Sequence, residues 1–297
     1  MCPFTQPPYP SMSSREIESF EWPDGKACGI TISWHVDGEA GPVGWDAQAA
    51  RHVAAVSEAA YGVTTALPRI LDLHRELAIP GTFFVPAHVV ERHPASIEAI
   101  LAGGHEIAHH GYMHENVFPM NGTQQREIFE HANTILQAAT GRKPRGWSAP
   151  GWGVNAETLA LMLDLGMLYD ASLMERDRPY IVELPEGELV ELPISLILDD
   201  WALFGASLYP AGSAATAAAD EARRIWQEEF DGMRHFGCHF NTTFHPNLLG
   251  RPGRMLMLKT LLGYMRSFDD VWWGTCEQLA SHAKSVSNRN KIERDKL

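Results

Sequence analysis

The sequence predicts an α/β protein built from a mostly parallel sheet covered by helices. Two observations carry this prediction: β-like runs alternate with helix-like stretches along most of the 297 residues, and the connections between them are short. No Gly-x-Gly-x-x-Gly motif follows an early strand, which disfavours a dinucleotide-binding sheet. A barrel and an open doubly wound sheet both fit the pattern, and both place active sites at the carboxyl ends of the strands.

Strands are predicted where β-branched or aromatic residues form short runs between turns. The first run, ACGITISW at residues 27–34, follows the turn Pro23-Asp24-Gly25. The remaining predicted strands cover residues 81–85, 106–109, 146–150, 189–198, 239–244 and 271–275.

Helices are predicted where apolar residues recur at spacings of three and four. The segment at residues 67–77 shows this spacing, and Gly141 ends a long amphipathic segment at residues 123–140. We expect one domain over residues 1–297, with its core at about 22–283, a flexible N-terminal arm and a charged, frayed C-terminal tail. The remaining predicted helices cover residues 94–101, 155–165, 214–234 and 255–267.

Composition narrows the class of protein. Thirty-seven acidic residues against 24 Lys and Arg give a formal charge of −13, which repels phosphate backbones, so we expect no nucleic-acid partner. The four cysteines are far apart and form no CxxC pair, which disfavours a zinc knuckle and a disulfide framework. No apolar run approaches the ~18 residues of a membrane span, and the N-terminal residues do not resemble a signal peptide. We therefore expect a cytoplasmic protein without membrane contact.

Polar residues follow the first predicted strand in the run SWHVDGE. Side chains alternate along a strand, so His35, Asp37 and Glu39 are expected to share a face. An imidazole and a carboxylate on one face at a strand end suit a metal site or a general base. The alternative is a solvated Asp-Gly turn.

A second motif, His110 and His114, follows the predicted strand at residues 106–109. The spacing of four predicts that the two rings meet on one helical turn. Two histidines and one carboxylate, here Asp37, are typical ligands of a catalytic divalent ion that keeps open positions for water and substrate. The alternative is a histidine-rich wet loop.

A third candidate, His245, ends an apolar strand and precedes Pro246, which suits a catalytic acid or base. A capping or buried structural histidine is the alternative. Arg251 lies on the loop that follows, where it either binds a substrate carbonyl or carboxylate or faces solvent.

Two segments rich in tryptophan predict an aromatic pocket, although core packing is the more frequent role of a single tryptophan. The expected substrate-binding residues in these segments are Trp147, Ser148, Pro150, Trp152 and Trp201.

In this order, the segments resemble the polysaccharide deacetylase (NodB-homology, carbohydrate esterase 4-like) family, and within it the allantoinase-like and cytosolic peptidoglycan-deacetylase-like branch. The resemblance implies a distorted (β/α) barrel of about seven strands, the (β/α)7 type of this family. Five short blocks carry it: Asp37, His110-x-x-x-His114, Ser148-Ala149-Pro150, Asp199-Asp200-Trp201 and His245-Pro246.

Two positions depart from the family pattern. His35 stands where the family has its base aspartate, and Ser148 stands where it has the arginine that orients that aspartate. The two losses agree physically, because a neutral imidazole has no negative charge for an arginine to balance. The resemblance to members that open cyclic ureides or imides therefore fits this chain better than ordinary sugar N-deacetylation.

The resulting hypothesis is metal-assisted hydrolysis of a carbon–nitrogen bond in a small, cyclic amide or imide. Asp37, His110 and His114 would hold a divalent ion, zinc before others, which acidifies a bound water and polarises the scissile carbonyl. His35 would take the proton of that water or become a fourth ligand.

His245 would protonate the leaving nitrogen or support the oxyanion, steered by Asp200. Three alternatives stay open: N-deacetylation of peptidoglycan or another N-acetylated glycan, metal-free hydrolysis, and a binding protein that kept the fold after losing its base and arginine. The expected partners are a small-molecule substrate and further copies of the chain in a homo-oligomer.

Overall fold

A computed structural model describes residues 13–208, 211–213 and 217–294 of the chain. The strands are β1 (Ser13–Glu16), β2 (Cys28–Thr31), β3 (Ser33–His35), β4 (Thr82–Val85), β5 (Glu106–His109), β6 (Gly146–Trp147), β7 (Tyr169–Asp170), β8 (Tyr180–Leu184), β9 (Gly187–Glu191), β10 (Ala206–Leu208), β11 (Ala211–Ser213), β12 (His239–Asn241) and β13 (Val271–Gly274). The helices are α1 (Ala40–Trp45), α2 (Val53–Tyr61), α3 (Leu67–Leu77), α4 (Ala87–Arg92), α5 (Pro94–Ala102), α6 (Gly122–Thr140), α7 (Ala156–Asp164), α8 (Trp201–Phe204), α9 (Ala219–Phe236), α10 (Pro246–Leu249), α11 (Pro252–Arg266) and α12 (Cys276–Arg294).

The larger sheet is mainly parallel. Its strand order is β1-β8-β9-β7-β6-β5-β4-β3, with parallel pairing from β9 through to β3. Strands β8 and β1 run antiparallel to their neighbours, because β8 and β9 form a tight hairpin and β1 pairs with β8. The predicted α/β class with parallel strands and covering helices is confirmed.

The smaller sheet, of order β12-β2-β13, adjoins the larger one. Strands β2 and β3 follow one another along the chain with one residue between them. Trp34 of β3 also forms a parallel bridge to Phe244, three residues beyond the end of β12. The end of β3 therefore lies between β4 and the segment that follows β12.

Side chains link the far edge of β12 to the segment that follows β9. The Asn241 amide nitrogen donates to the carbonyl oxygens of Leu192 and Pro193, each at 3.3 Å. Asp199 forms a parallel bridge to Thr243 a few residues further on. These contacts bring the two sheets together, so that the carboxyl ends of strands from both sheets face a common space.

Local sequence signals explain why the covering helices begin and end where they do. At the start of α6, the Asn121 side chain accepts from the backbone N–H of Gln124, whose own side chain accepts from the N–H of Asn121. The helix ends at Gly141, which has a φ of +77° that a residue with a Cβ adopts at a cost. Its Phe129 packs against Trp147 of β6, with ring centroids 4.4 Å apart.

Some predicted elements differ in the structure. The strand predicted at residues 189–198 ends at Glu191, two residues before Pro193, which has no N–H to continue the ladder. The helix predicted at residues 214–234 begins at Ala219, and residues 214–216 lie outside the described residues. Across the described ranges, every helix is too short or too polar to cross a bilayer.

The single-domain organisation stays a prediction. Residues 13–16 of the predicted N-terminal arm form β1, and α12 continues into the predicted charged tail as far as Arg294. The remaining parts of the arm and the tail, residues 1–12 and 295–297, lie outside the described residues.

Candidate active site

The candidate site begins at the carboxyl end of β3, where strand alternation puts two of the predicted side chains together. His35 and Asp37 offer ligand atoms within 4.8 Å of one another. Glu39, which the same alternation was expected to place beside them, points elsewhere. Its carboxylate accepts hydrogen bonds from Arg92 Nε at 2.8 Å and His93 Nε2 at 2.9 Å.

His110 and His114 meet at the end of β5, with ring centroids 4.9 Å apart. The prediction that they share a helical turn is wrong, because the chain after His109 is a loop that turns through Gly111, at a φ of +81°. His114 itself has a φ of +58°, a conformation that costs energy in most residues and is found preferentially at functional sites. The rings therefore converge through a strained loop.

The Asp37 carboxylate lies at the centre of the histidines. Its Oδ1 is 3.5 Å from His110 Nε2, and its Oδ2 is 3.6 Å from His114 Nε2 and 3.8 Å from His245 Nε2. His35 completes the group, with its ring centroid 4.4 Å from that of His110. The predicted ligands are thus brought together with both predicted catalytic histidines.

The donor set fits a divalent ion. Distances of 3.5 and 3.6 Å are too long for hydrogen bonds, and Asp37 Oδ1 and His110 Nε2 are both buried with no hydrogen-bond partner among the residues that the structure describes. Two ligand atoms bound to one zinc at about 2.1 Å with a tetrahedral angle lie about 3.4 Å apart. The separation of these atoms is therefore that of ligands sharing one ion, and an acidic oxygen with imidazole nitrogens is a donor set that zinc prefers.

Electrostatics favour cation binding by the same groups. Burial would raise the pKa of Asp37, but the rings of His114, His110 and His245 outweigh it and hold that pKa well below its usual range. Burial lowers the pKa of His114 to about 4 and that of His35 well below its ordinary value. At neutral pH the site therefore offers an anionic carboxylate beside the neutral rings of His114 and His35.

Ser148, predicted to bind substrate, instead supports His110. Its carbonyl oxygen lies 2.6 Å from His110 Nδ1, so Nδ1 carries the donated proton and Nε2 is the nitrogen available to an ion. Its hydroxyl donates to the carbonyl oxygen of Ala171 at 2.9 Å, and the whole residue is buried.

Two carboxylates lie on the Nδ1 side of the His245 ring. Asp200 Oδ1 lies 2.6 Å from His245 Nδ1, and Asp200 Oδ2 accepts from the His245 backbone N–H at 2.9 Å. Asp199, which belongs to the Asp199-Asp200-Trp201 block but was given no role of its own, lies 3.8 Å from the same ring nitrogen. Burial lowers the pKa of His245, but Asp200, Asp37 and Asp199 outweigh it and raise it to about 10. The ring is therefore an imidazolium with Nε2–H on the Asp37 side.

Comparison with known proteins identifies the family. The polysaccharide deacetylase family profile matches residues 50–169. A solved structure from Mycobacterium smegmatis, assigned to the polysaccharide deacetylases, is 37% identical, covers 90% of this chain and 93% of its own, and superposes with a TM-score of 0.87. The chain belongs to the polysaccharide deacetylase family.

Two further relatives differ in their named activities. A peptidoglycan deacetylase from Helicobacter pylori is 26% identical over 262 residues, which is 80% of this chain and 89% of the relative. The Puue allantoinase structure is 24% identical, covers 94% of each chain and has a TM-score of 0.76, a likeness of fold. Membership of the polysaccharide deacetylase family makes the chain a hydrolase of carbon–nitrogen bonds other than peptide bonds.

Within this family fold, aromatic rings surround the histidines. Trp152 lies 5.6 Å from His35 and Trp201 5.8 Å from His245, measured between ring centroids. Trp45, which the sequence did not indicate, lies 6.4 Å from His114 and is half exposed. It reaches the site from α1, and no local pattern in the sequence marks that approach.

The other predicted substrate-binding residues are buried or bound to other parts of the protein. Trp147 is fully buried between β6 and α6, tilted against Phe129 and His109, so its ring offers no surface to a substrate. Pro150 is buried in the short helical turn before Trp152. The Arg251 guanidinium stacks 3.7 Å above the Tyr61 ring, and its Nε donates to the Asn247 carbonyl oxygen.

Proposed function

We propose that this protein is a metal-dependent hydrolase that opens a small cyclic amide or imide. The observation that carries the proposal is the convergence of Asp37, His110 and His114, with buried ligand atoms left unpaired, opposite the charged His245. Half-exposed tryptophan rings at the site suit a flat ring better than a hydrated sugar chain.

Asp37, His110 and His114 are the proposed ligands. A divalent ion bound there, zinc in this proposal, lowers the pKa of water and polarises a carbonyl. His35 is unprotonated and lies against His110, so it either accepts the proton of the attacking water or binds the ion as well.

His245 is the proposed acid. It carries a proton on Nε2, facing the Asp37 side of the site, where a leaving nitrogen needs one as the carbon–nitrogen bond breaks. Asp200 fixes the ring through Nδ1 and favours its charged form. Trp152 and Trp201 flank the two catalytic histidines and would exclude water while holding the ring of the substrate.

The metal proposal is tested by the ion content and turnover of purified wild type, His110→Ala and a control, His88→Ala. The His88 ring contacts Tyr112, in the loop that carries His110 and His114, but His88 is not one of the proposed ligands. We expect His110→Ala to lose both ion and turnover, and His88→Ala to keep both. Full activity in His110→Ala, or activity insensitive to chelators, would contradict the metal role.

The role of His35 is separable in the same experiment. A His35→Ala variant that keeps its ion but loses turnover identifies a base, whereas loss of the ion identifies a fourth ligand.

The second candidate function is N-deacetylation of peptidoglycan or another N-acetylated glycan, favoured by the similarity to the Helicobacter pylori peptidoglycan deacetylase. Succinimide-like rings and chitin oligomers, offered to the same preparation, separate the two. Detection of the ring-opened half-amide would support the cyclic substrate. Dominant release of acetate would instead support the glycan as substrate. Bound zinc with no turnover on either class would indicate a binding protein.

A further inference from the structure

One peptide unit, between Ser148 and Ala149, links the candidate metal site to a buried polar cluster outside it. Its carbonyl oxygen accepts from His110 Nδ1 at 2.6 Å, and its N–H donates to Ser172 Oγ at 2.9 Å. Because the C=O and N–H of a peptide lie in one plane, rotation of that plane breaks both hydrogen bonds together. The bond to Ser172 therefore fixes the direction of the carbonyl that orients His110.

Ser172 is itself held on two sides. Its Oγ donates to Asp170 Oδ1 at 2.7 Å, which commits the single hydroxyl proton and leaves Oγ as the acceptor for Ala149. Its backbone N–H donates to Glu191 Oε1 at 3.0 Å, and that of Leu173 donates to the same oxygen at 2.9 Å. Ser172 is 3% exposed, so water does not compete for these bonds.

Asp170 and Glu191 form a paired anchor on neighbouring strands. They are register partners on β7 and β9, and both are fully buried. Their outer oxygens, Asp170 Oδ2 and Glu191 Oε2, find no hydrogen-bond donor in the described ranges of the chain. Two buried carboxylates on paired residues of neighbouring strands cannot both ionise, and one shared proton satisfies both outer oxygens. Burial and the charge of Asp170 raise the pKa of Glu191, which identifies it as the protonated member.

We propose that Ser172, anchored by Asp170 and Glu191, is a positioning residue that holds His110 in the tautomer with its proton on Nδ1 and its Nε2 free. This inference rests on the proposed function, in which His110 Nε2 is a metal ligand. Ser172 acts through a backbone carbonyl and not by contact with the ion, so deleting its hydroxyl loosens the ligand without removing it.

The test compares wild type, Ser172→Ala and the control Ser287→Ala. Ser287 is a buried serine on α12 whose hydroxyl accepts from Arg15, so the control deletes an equally buried hydroxyl far from His110. The zinc dissociation constant is measured by titration, and the His110 tautomer by imidazole ¹⁵N NMR of the metal-free protein. We expect Ser172→Ala to bind zinc roughly tenfold more weakly, the low end for partners outside the ligand shell, and to show mixed tautomers. Ser287→Ala should match wild type in both.

If the alanine variant does not fold, Ser172→Cys is measured in its place. A thiol has nearly the same volume as the hydroxyl but is a weak hydrogen-bonding group. The same direction of change is expected. Unchanged zinc affinity with a wild-type tautomer in either folded variant would overturn the proposal, as would a wild-type His110 with its proton on Nε2. If the wild type binds no zinc, the metal-dependent function fails, and the tautomer signals of the metal-free proteins still decide the role of Ser172.

Discussion

Buried polar side chains lie at both ends of the central strands, but the two groups differ in how far their hydrogen bonds are satisfied. At the amino end of β5, Glu106 Oε1 accepts from the Tyr169 hydroxyl at 2.7 Å, while Oε2 accepts from the Thr82 hydroxyl and a backbone N–H, each at 2.9 Å. At the carboxyl ends, Asp37 Oδ1 and His110 Nε2 are buried, and no described residue forms a hydrogen bond with either atom. The side chains at the amino end satisfy one another's hydrogen bonds. Those at the carboxyl ends need a bound ligand to satisfy them.

Two histidines show the same difference. His74 uses both ring nitrogens: Nδ1 lies 3.1 Å from the Ile79 carbonyl oxygen, and Nε2 accepts from Trp34 Nε1 at 2.9 Å. Burial lowers the pKa of His74 to about 3, so the ring is neutral. His110 is buried as well, yet within the described part of the chain its proposed ligand atom, Nε2, has no hydrogen-bond partner. An unpaired buried polar group costs about 1–3 kcal/mol, so such groups are kept where a ligand will satisfy them.

The largest effect is expected from removing a histidine at the unsatisfied end. His114→Ala takes away a proposed ligand, and transition-state stabilisation of several kcal/mol corresponds to a loss of turnover on the order of 10³-fold. The free energy of unfolding should fall by less than in the matched variant of His74, because both substitutions open a cavity but His114 Nδ1 leaves no hydrogen-bond partner behind among the described residues. Steady-state kinetics, ion analysis and denaturant unfolding measure these quantities. A large loss of stability would show that His114 is a structural residue.

The same substitution at the satisfied end should reverse the pattern. His74→Ala leaves the Trp34 indole N–H and the Ile79 carbonyl without their partner and opens a cavity, so we expect a loss of about 2–4 kcal/mol in unfolding free energy. Ion content and turnover per folded molecule should stay at the wild-type values. An inactive but stable His74→Ala protein would show that His74 has a functional role and not a structural one.

The sequence was enough to select the members of the unsatisfied cluster, because each follows a predicted strand and carboxyl ends of parallel strands meet. Asp37, His110, His114 and His245 do converge. It was not enough to place them on a loop, since a spacing of four reads as a helical turn until the positive φ values of the loop are known. Spacing therefore indicated which rings meet, but not how.

Residues that reach the site through tertiary packing left no local signal. Trp45 comes from α1, and Ser172 acts from the loop after β7 through a peptide of another loop. Trp147 was predicted as a pocket wall because it lies in the same short segment as Trp152, but it is fully buried and packs against Phe129 of α6. The hairpin of β8 and β9 was missed, although the turn sequence Pro-Glu-Gly at residues 185–187 marks it.

A change in the pH dependence of stability is predicted for Asp170 and Glu191, whose outer oxygens, Oδ2 and Oε2, depend on a shared proton. Burial and Asp170 raise the pKa of Glu191 well above its ordinary value of 4.5, so the folded chain binds a proton that the unfolded chain releases as pH rises. The stabilisation is complete below pH 4.5 and is lost as pH rises towards the pKa of the folded state, by about 1.4 kcal/mol per pH unit for one proton. Glu191→Gln keeps a donor for Asp170 and has no proton to lose, so unfolding free energies measured from pH 5 to 8 should fall less steeply than in wild type. Parallel slopes would mean that the pair carries no shared proton, and that its anchoring of Ser172 does not depend on one.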